Sequence, residues 1–166
     1  MTSVRIKASA KVKHDTMAQY IADTRFPWAD QNTDRDISEA YGIWPAEYTT
    51  IVNVRNRQKA IQFANKMWYP DIVVVNSENE VREICEVESE DDISPRIIEK
   101  WKGYAAATTL GRHGYPKLFL YVPVSKQAES QKIISEGGLK YSALRSYEIS
   151  DDLNALKIDL LVTNEL

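Results

Sequence analysis

The order of apolar runs in this chain predicts an α/β protein with a mixed sheet flanked by helices. Two strand-forming runs, 71–76 and 81–88, are separated by the short polar segment 77–80, which indicates an antiparallel hairpin. A helix-like segment follows and leads to the apolar run 117–122, which is typical of a buried strand. Strands that alternate with helices in this way favour a sheet covered on both sides. The chain of 166 residues is 43% hydrophobic, which predicts one globular domain.

The first third of the chain predicts an extension and the start of the sheet. Residues 8–23 have an apolar stripe at helical spacing, and the polar segment 24–39 predicts a long loop. Residues 48–54 are rich in Thr, Ile and Val and predict a strand. Apolar residues at helical spacing in 57–67 predict a second helix, which Pro70 would end. We therefore divide the domain into an N-terminal helix and loop extension, 1–47, and a core, 48–166.

The second half predicts alternating helices and strands. Ser94 and Pro95 are typical of a helix start, as N-cap and first helical residue. Ser125 is predicted to cap a further helix, which the glycine pair at 137–138 would end. Two more strands are predicted at 139–149 and 156–162.

Three acidic residues should meet in the predicted hairpin. Asp71 opens the first strand, while Glu86 and Glu88 alternate on one face of the second, near the position that Asp71 would oppose. Like charges at this distance raise each other's pKa or require a cation, and carboxylate oxygens suit a hard divalent ion. The alternative is an exposed polar strand face on which Glu86 and Glu88 pair with Arg82 and nearby lysines.

The residues Pro70-Asp71 and Glu86-Val87-Glu88 resemble the motif of the PD-(D/E)xK superfamily, the restriction-endonuclease-like nucleases. The resemblance spans roughly residues 57–123 and implies an αβββαβ core. It also implies that Asp71, Glu86 and Glu88 bind Mg²⁺ (or Mn²⁺), with the Val87 carbonyl as a further ligand, for hydrolysis of nucleic-acid phosphodiester bonds. The family pattern has Lys where this chain has Glu88.

That departure leaves the role of the missing lysine open. Glu88 is able to bind a second metal or to accept a proton from the attacking water. Alternatively, the cation comes from the following helix, where Lys100 and Lys102 lie. The candidate catalytic residues are therefore Asp71, Glu86, Glu88 and Lys102. The superfamily also commonly has an acid upstream, for which Glu39 and Glu47 are the candidates.

The charge pattern agrees with a nucleic-acid partner, although the net charge is −3. A rim of cations around an acidic centre suits a nuclease, because cations hold phosphate and carboxylates hold metal; the alternative is a solvated surface of mixed charge. The cations form two acid-free stretches: Arg5, Lys7, Lys11 and Lys13, and then Arg55, Arg57, Lys59 and Lys66.

Other classes of site are disfavoured. Cys85 is the single cysteine, which excludes a disulfide framework and a cysteine zinc site. His14 and His113 are too few and too isolated for a histidine metal site. No apolar stretch has membrane-spanning length and no signal peptide is recognisable, so we expect a cytoplasmic protein without membrane contact.

Three functional hypotheses follow. The first is a metal-dependent nuclease with DNA as the expected substrate, for which a homodimer is one option of assembly. The second is a catalytically degenerate nuclease-like domain that acts as a binding module. The third is an unrelated α/β domain in which the hairpin acids coincide by chance.

Overall fold

The computed structural model describes residues 7–26 and 48–165, which form a six-stranded mixed sheet with helices on both faces. The predicted α/β class is therefore confirmed. In the described ranges no helix combines the length and apolar character needed to cross a bilayer. The helices are α1 (Ala10–Arg25), α2 (Ile97–Ala107) and α3 (Gln127–Gly137). The strands are β1 (Thr49–Val52), β2 (Ile61–Phe63), β3 (Lys66–Trp68), β4 (Ile72–Val75), β5 (Val81–Val87), β6 (Leu118–Pro123), β7 (Ala143–Ile149) and β8 (Leu156–Thr163).

The main sheet joins an antiparallel half to a parallel half. Its order is β1-β4-β5-β6-β7-β8. Strand β4 is antiparallel to both of its neighbours, β1 and β5; β5, β6 and β7 are parallel, and β8 returns antiparallel to β7. The predicted β4–β5 hairpin is present, and Ile72 pairs with Cys85. The carboxyl ends of three neighbouring parallel strands consequently lie at one edge of the sheet.

Alternation along β5 sends successive side chains into two different cores. Cys85 and Val87 pack with α1 on one face. Ile84 packs on the other face with the core that includes Trp101 of α2. Because strand side chains alternate, Glu86 and Glu88 share the face of Ile84 and are directed towards α2.

The predicted helix at 57–67 is wrong, because the segment forms the short antiparallel hairpin β2–β3. Its turn residues Ala64 and Asn65 have positive φ values of 51° and 60°, a conformation that a helix does not allow. The hairpin side chains alternate accordingly, since Gln62 is exposed between the more buried Ile61 and Phe63.

Two predicted helix caps are also wrong. Helix α2 begins at Ile97, and no side chain caps it; the Ser94 carbonyl only accepts the Ile97 N–H in the preceding turn. The Ser125 hydroxyl donates to Glu90 instead of capping α3. The predicted end of α3 is confirmed, because Gly138 follows it with a φ of 64°. The candidates Glu39 and Glu47, with most of the predicted loop 24–39, lie outside the described residues.

Candidate active site

Asp71 and Glu86 are in direct contact at the start of β4. The Asp71 N–H donates to Glu86 Oε1 at 3.0 Å, and the Val87 N–H donates to Asp71 Oδ2 at 2.8 Å. The two carboxyl groups also shift each other's pKa, downwards for Asp71 and upwards for Glu86. Both side chains are buried, with exposed fractions of 9% and 5%. The hairpin register thus brings these two predicted site residues together.

Lys100 of α2 binds Glu86 of β5 and Glu88, which directly follows that strand. Its Nζ lies 3.2 Å from Glu86 Oε2 and 2.9 Å from Glu88 Oε1. Glu88 is 2% exposed, and its second oxygen accepts the Trp101 Nε1–H at 2.8 Å. Both carboxylate oxygens of Glu88 are therefore used by α2. Glu88, which stands where the family motif has a lysine, thus binds Lys100 from the following helix.

Lys102, the predicted catalytic lysine, does not reach this cluster. Two residues along an α-helix rotate a side chain by about 200°, which sends Lys102 away from Lys100. Lys102 is exposed and lines a separate surface depression with Leu110 and Pro116. Lys100, the other residue that the sequence offered, contacts the acids.

Tyrosines close the cluster on its inner side. The Tyr147 hydroxyl donates to the Glu88 carbonyl, and Tyr104 lies near enough to Glu86 for that carboxylate to raise the pKa of the phenol. Burial and the charges of Glu86 and Glu88 raise the pKa of Tyr104. Tyr104 therefore remains a neutral hydrogen-bond donor across the physiological range.

Helix α1 contributes His14, which the sequence did not single out as a site residue. Its Nε2 lies 3.2 Å from Asp71 Oδ2, and its Nδ1 lies 2.9 Å from Asp15 Oδ1. Burial alone would lower the pKa of His14, but Asp71 and then Asp15 outweigh burial and raise the pKa to about 9. At neutral pH His14 is a cation that donates to both acids. No spacing in the sequence connects residues 14 and 71, so only the packing of α1 reveals the pair.

The four central groups differ in charge state. Burial would raise the pKa of Asp71, but the contacts with His14, Glu86 and the Val87 N–H lower it, so Asp71 is ionised. Burial and the negative charge of Asp71 raise the pKa of Glu86 well above its ordinary value. Burial also raises the pKa of Glu88, against the opposing charge of Lys100. Burial would lower the pKa of Lys100, but Glu86 and Glu88 outweigh it and raise that pKa. The surroundings accordingly favour the ionised form of Asp71 and the protonated form of Glu86.

A cleft of about 390 Å³ opens beside the cluster. It lies at the carboxyl ends of β5, β6 and β7, between those strands and the first turns of α1. In open α/β sheets, ligands bind in the crevice at the carboxyl ends of strands. His14 lines the cleft and contacts Asp71, which connects the cleft to the acids. The other polar lining residues include Lys13, Ser89, Glu90 and Ser125.

The acidic cluster has the donor atoms, but not the arrangement, of a divalent-cation site. Within the described ranges, no three His, Cys, Asp or Glu side chains have the arrangement of a metal site. Asp71 and Glu86 nevertheless bring together hard oxygen donors of the kind that Mg²⁺ or Mn²⁺ takes. Both Glu86 oxygens already have partners, in the Asp71 N–H and Lys100, just as those of Glu88 have in Lys100 and Trp101, so a cation would have to displace one of these contacts.

Comparisons with protein-family models, with curated proteins and with solved structures give no match for this chain.

Proposed function

We propose that this chain is a divalent-metal-dependent nuclease of the PD-(D/E)xK type in which the motif lysine has moved to helix α2. The observation that carries the proposal is the position of Lys100, whose Nζ contacts Glu86 at 3.2 Å and Glu88 at 2.9 Å. Lys100 thereby places a cation at the Asp71–Glu86 pair, although the β4–β5 hairpin has no lysine at the motif position.

The element order supports the proposal. Leaving out the β2–β3 hairpin, the chain runs α1-β1-β4-β5-α2-β6, which is the αβββαβ order that the resemblance implies. Strand β1 pairs with β4, so the strand that the family places before the Asp strand is supplied across an inserted hairpin. Strand β5 pairs parallel to β6, as a βαβ crossover through α2 requires.

Asp71 and Glu86 would hold the metal, with the Val87 carbonyl as a further oxygen. Such an ion supplies Lewis acidity and lowers the pKa of a bound water. Lys100 would place a fixed positive charge beside the phosphate on which negative charge develops. Glu88 and Trp101 act as positioning residues, because the Glu88 carboxylate holds Lys100 on one oxygen and is itself held by Trp101 on the other. His14 keeps Asp71 ionised.

Cleavage of labelled single-stranded, duplex and branched DNA in Mg²⁺, Mn²⁺ or EDTA tests the proposal. We expect metal-dependent cleavage, and a loss on the order of 100-fold or more in Asp71→Asn, Glu86→Gln and Lys100→Ala. The matched control is Lys102→Ala, which removes the same charge from the exposed side of α2. If no substrate is cleaved, or if Lys102→Ala loses as much activity as Lys100→Ala, the proposal is refuted.

A binding module without catalysis is the second candidate. It is favoured by the burial of Glu88 and by the pairing of both its oxygens, since a structural ion pair requires no substrate access. In that case DNA binds without being cut, and Asp71→Asn leaves the affinity unchanged.

A further inference from the structure

The segment between β1 and β4 is a basic arm, which we define as residues 54–69. From Tyr48 to Pro70 the chain contains no acidic residue and four cations, Arg55, Arg57, Lys59 and Lys66. The first acidic residue after this stretch is Asp71 itself. The most uniformly positive stretch of the described chain therefore leads directly into the candidate active site.

Asn53 fixes the base of the arm to the site. Its side-chain Oδ1 accepts the N–H groups of Gln58 and Lys59 at 2.9 Å and 3.0 Å. Its Nδ2 donates to the carbonyls of Lys59 and Pro70 at 2.9 Å and 2.7 Å, and its backbone N–H donates to the Asp71 carbonyl. One buried side chain thus ties residues 58–59 of the arm to Pro70, which directly precedes Asp71.

The tip of the arm is packed against α2. The Phe63 ring occupies the space beside Gly103, where an added Cβ would lie 2.2 Å from a Phe63 ring carbon. Phe63 stacks on Trp68, with ring centroids 4.6 Å apart, and both rings contact Tyr104 edge-on. The charge of Glu86 also raises the pKa of Tyr104. A single tyrosine therefore contacts the arm and lies within electrostatic range of the acids.

Two of the cations are held over aromatic rings. The Arg57 guanidinium lies 5.1 Å from the centre of the Tyr69 ring, and Lys66 Nζ lies 5.5 Å from that of Trp68. Lys59 is engaged elsewhere, because its Nζ donates to the Asn79 carbonyl. In the described part of the chain no carboxylate forms an ion pair with Arg55, Arg57 or Lys66. All three of these charged residues are exposed.

We propose that the basic arm binds the sugar-phosphate backbone of a nucleic acid and holds the strand beside Asp71. The choice of ligand rests on the proposed function, because a phosphodiester approaching the acids requires nearby cations to offset repulsion. The arm contributes charge rather than base stacking, since one face of Trp68 is covered by Phe63 and Lys66 lies over its ring. Binding is therefore independent of sequence.

The test compares the triple variant Arg55→Ala/Arg57→Ala/Lys66→Ala with the wild type. The matched control is Lys132→Ala/Lys140→Ala/Lys157→Ala, which removes the same charge from exposed positions outside the arm. Affinity for labelled single-stranded and duplex DNA is measured by fluorescence anisotropy in EDTA at several salt concentrations, so that no cleavage is needed. Thermal unfolding of both variants checks that the fold is intact.

We expect the arm variant to bind at least about 10-fold more weakly at low salt, and the slope of log affinity against log salt to decrease by about one for each lost phosphate contact. The control should retain the affinity and slope of the wild type. The inference is overturned if the wild type binds no nucleic acid, if the arm variant binds like the wild type, or if the control loses as much.

The outcome is separable from that of the proposed function. Binding that depends on the arm without any cleavage refutes the nuclease and leaves the arm in place. If the wild type cleaves DNA but the arm variant binds DNA as tightly as the wild type, only the proposed role of the arm is refuted. Competition by poly-glutamate or anionic vesicles at the same charge concentration as DNA would show that the arm recognises any anion, and would also overturn the assignment.

Discussion

Replacing Lys100 with Met should destabilise the protein much more than removal of an ordinary surface charge. Methionine fills a similar volume and leaves the backbone of α2 unchanged, so the change removes the ammonium group alone. What remains is Glu88, with 2% exposure, and Glu86, with 5% exposure, beside an ionised Asp71. In the described part of the chain, the one cation left in contact with these three buried acids would be His14, which contacts Asp71.

The size of the loss follows from burial. Exposed ion pairs contribute from 0 to about 1 kcal/mol, whereas removal of one partner of a buried pair costs about 3 to 5 kcal/mol. The Lys100 side chain is 22% exposed, which places this case near the lower end, at about 3 kcal/mol. Loss of the Lys100 charge raises the pKa of Glu88 further, and protonation of Glu88 relieves the repulsion, so the loss should shrink as the pH falls towards 5.

Urea unfolding of the wild type and Lys100→Met at pH 7 and pH 5, in EDTA, measures this difference. Lys102→Met is the matched control and should change the free energy of unfolding by no more than about 0.5 kcal/mol. A loss below about 1 kcal/mol in Lys100→Met, or a loss that does not depend on pH, would refute the reasoning. It would mean that the cluster is hydrated and that Lys100 contributes no more than a surface charge.

Two further changes test other parts of the fold. Burial raises the pKa of Glu83 to about 8, so the folded protein keeps a proton there that the unfolded chain loses near pH 4.5. The free energy of unfolding should therefore fall as the pH rises from about 4.5 to about 8. Over that range Glu83→Gln should become more stable relative to the wild type by on the order of 1 kcal/mol per pH unit. An equal gain in the exposed control Glu136→Gln would contradict this. Gly103→Ala should cost about 1 to 3 kcal/mol despite its better helix propensity, because the new methyl group meets Phe63. Chemical unfolding of Gly103→Ala, Phe63→Leu and the double variant should show less than additive losses, and strict additivity would exclude that contact.

The parts of the fold that the sequence predicted depend on local signals. The β4–β5 hairpin follows from a polar segment between two apolar runs, and its register alone opposes Asp71 to Glu86. The β2–β3 hairpin was missed because Ala60, Ile61 and Ala64 also fit a helical stripe. The deciding signal was the Asn65 turn, since Asn adopts positive φ values more readily than most residues.

The remaining site residues depend on how the helices are placed. The sequence put Lys100 and Lys102 on the same helix, but the rotation of α2 against β5 decides which of them reaches the acids. Trp101 and Tyr104 set that rotation by burial in the core below α2. His14 is 57 residues from Asp71 in the chain, so its contact depends on the docking of α1, for which no local pattern exists.

The hydrogen bonds of Asn53 have a consequence for dynamics. One amide side chain ties the N–H groups of Gln58 and Lys59 to the segment that enters Asp71. Opening this connection breaks several hydrogen bonds at once, so the arm and the start of β4 should fluctuate as a single cooperative unit. Amide hydrogen exchange at Gln58, Lys59 and Asn53 would then proceed at one common rate, slower than in the exposed turn 77–80. A nucleic-acid strand bound by the arm would accordingly slow amide hydrogen exchange at the start of β4 without contacting those amides.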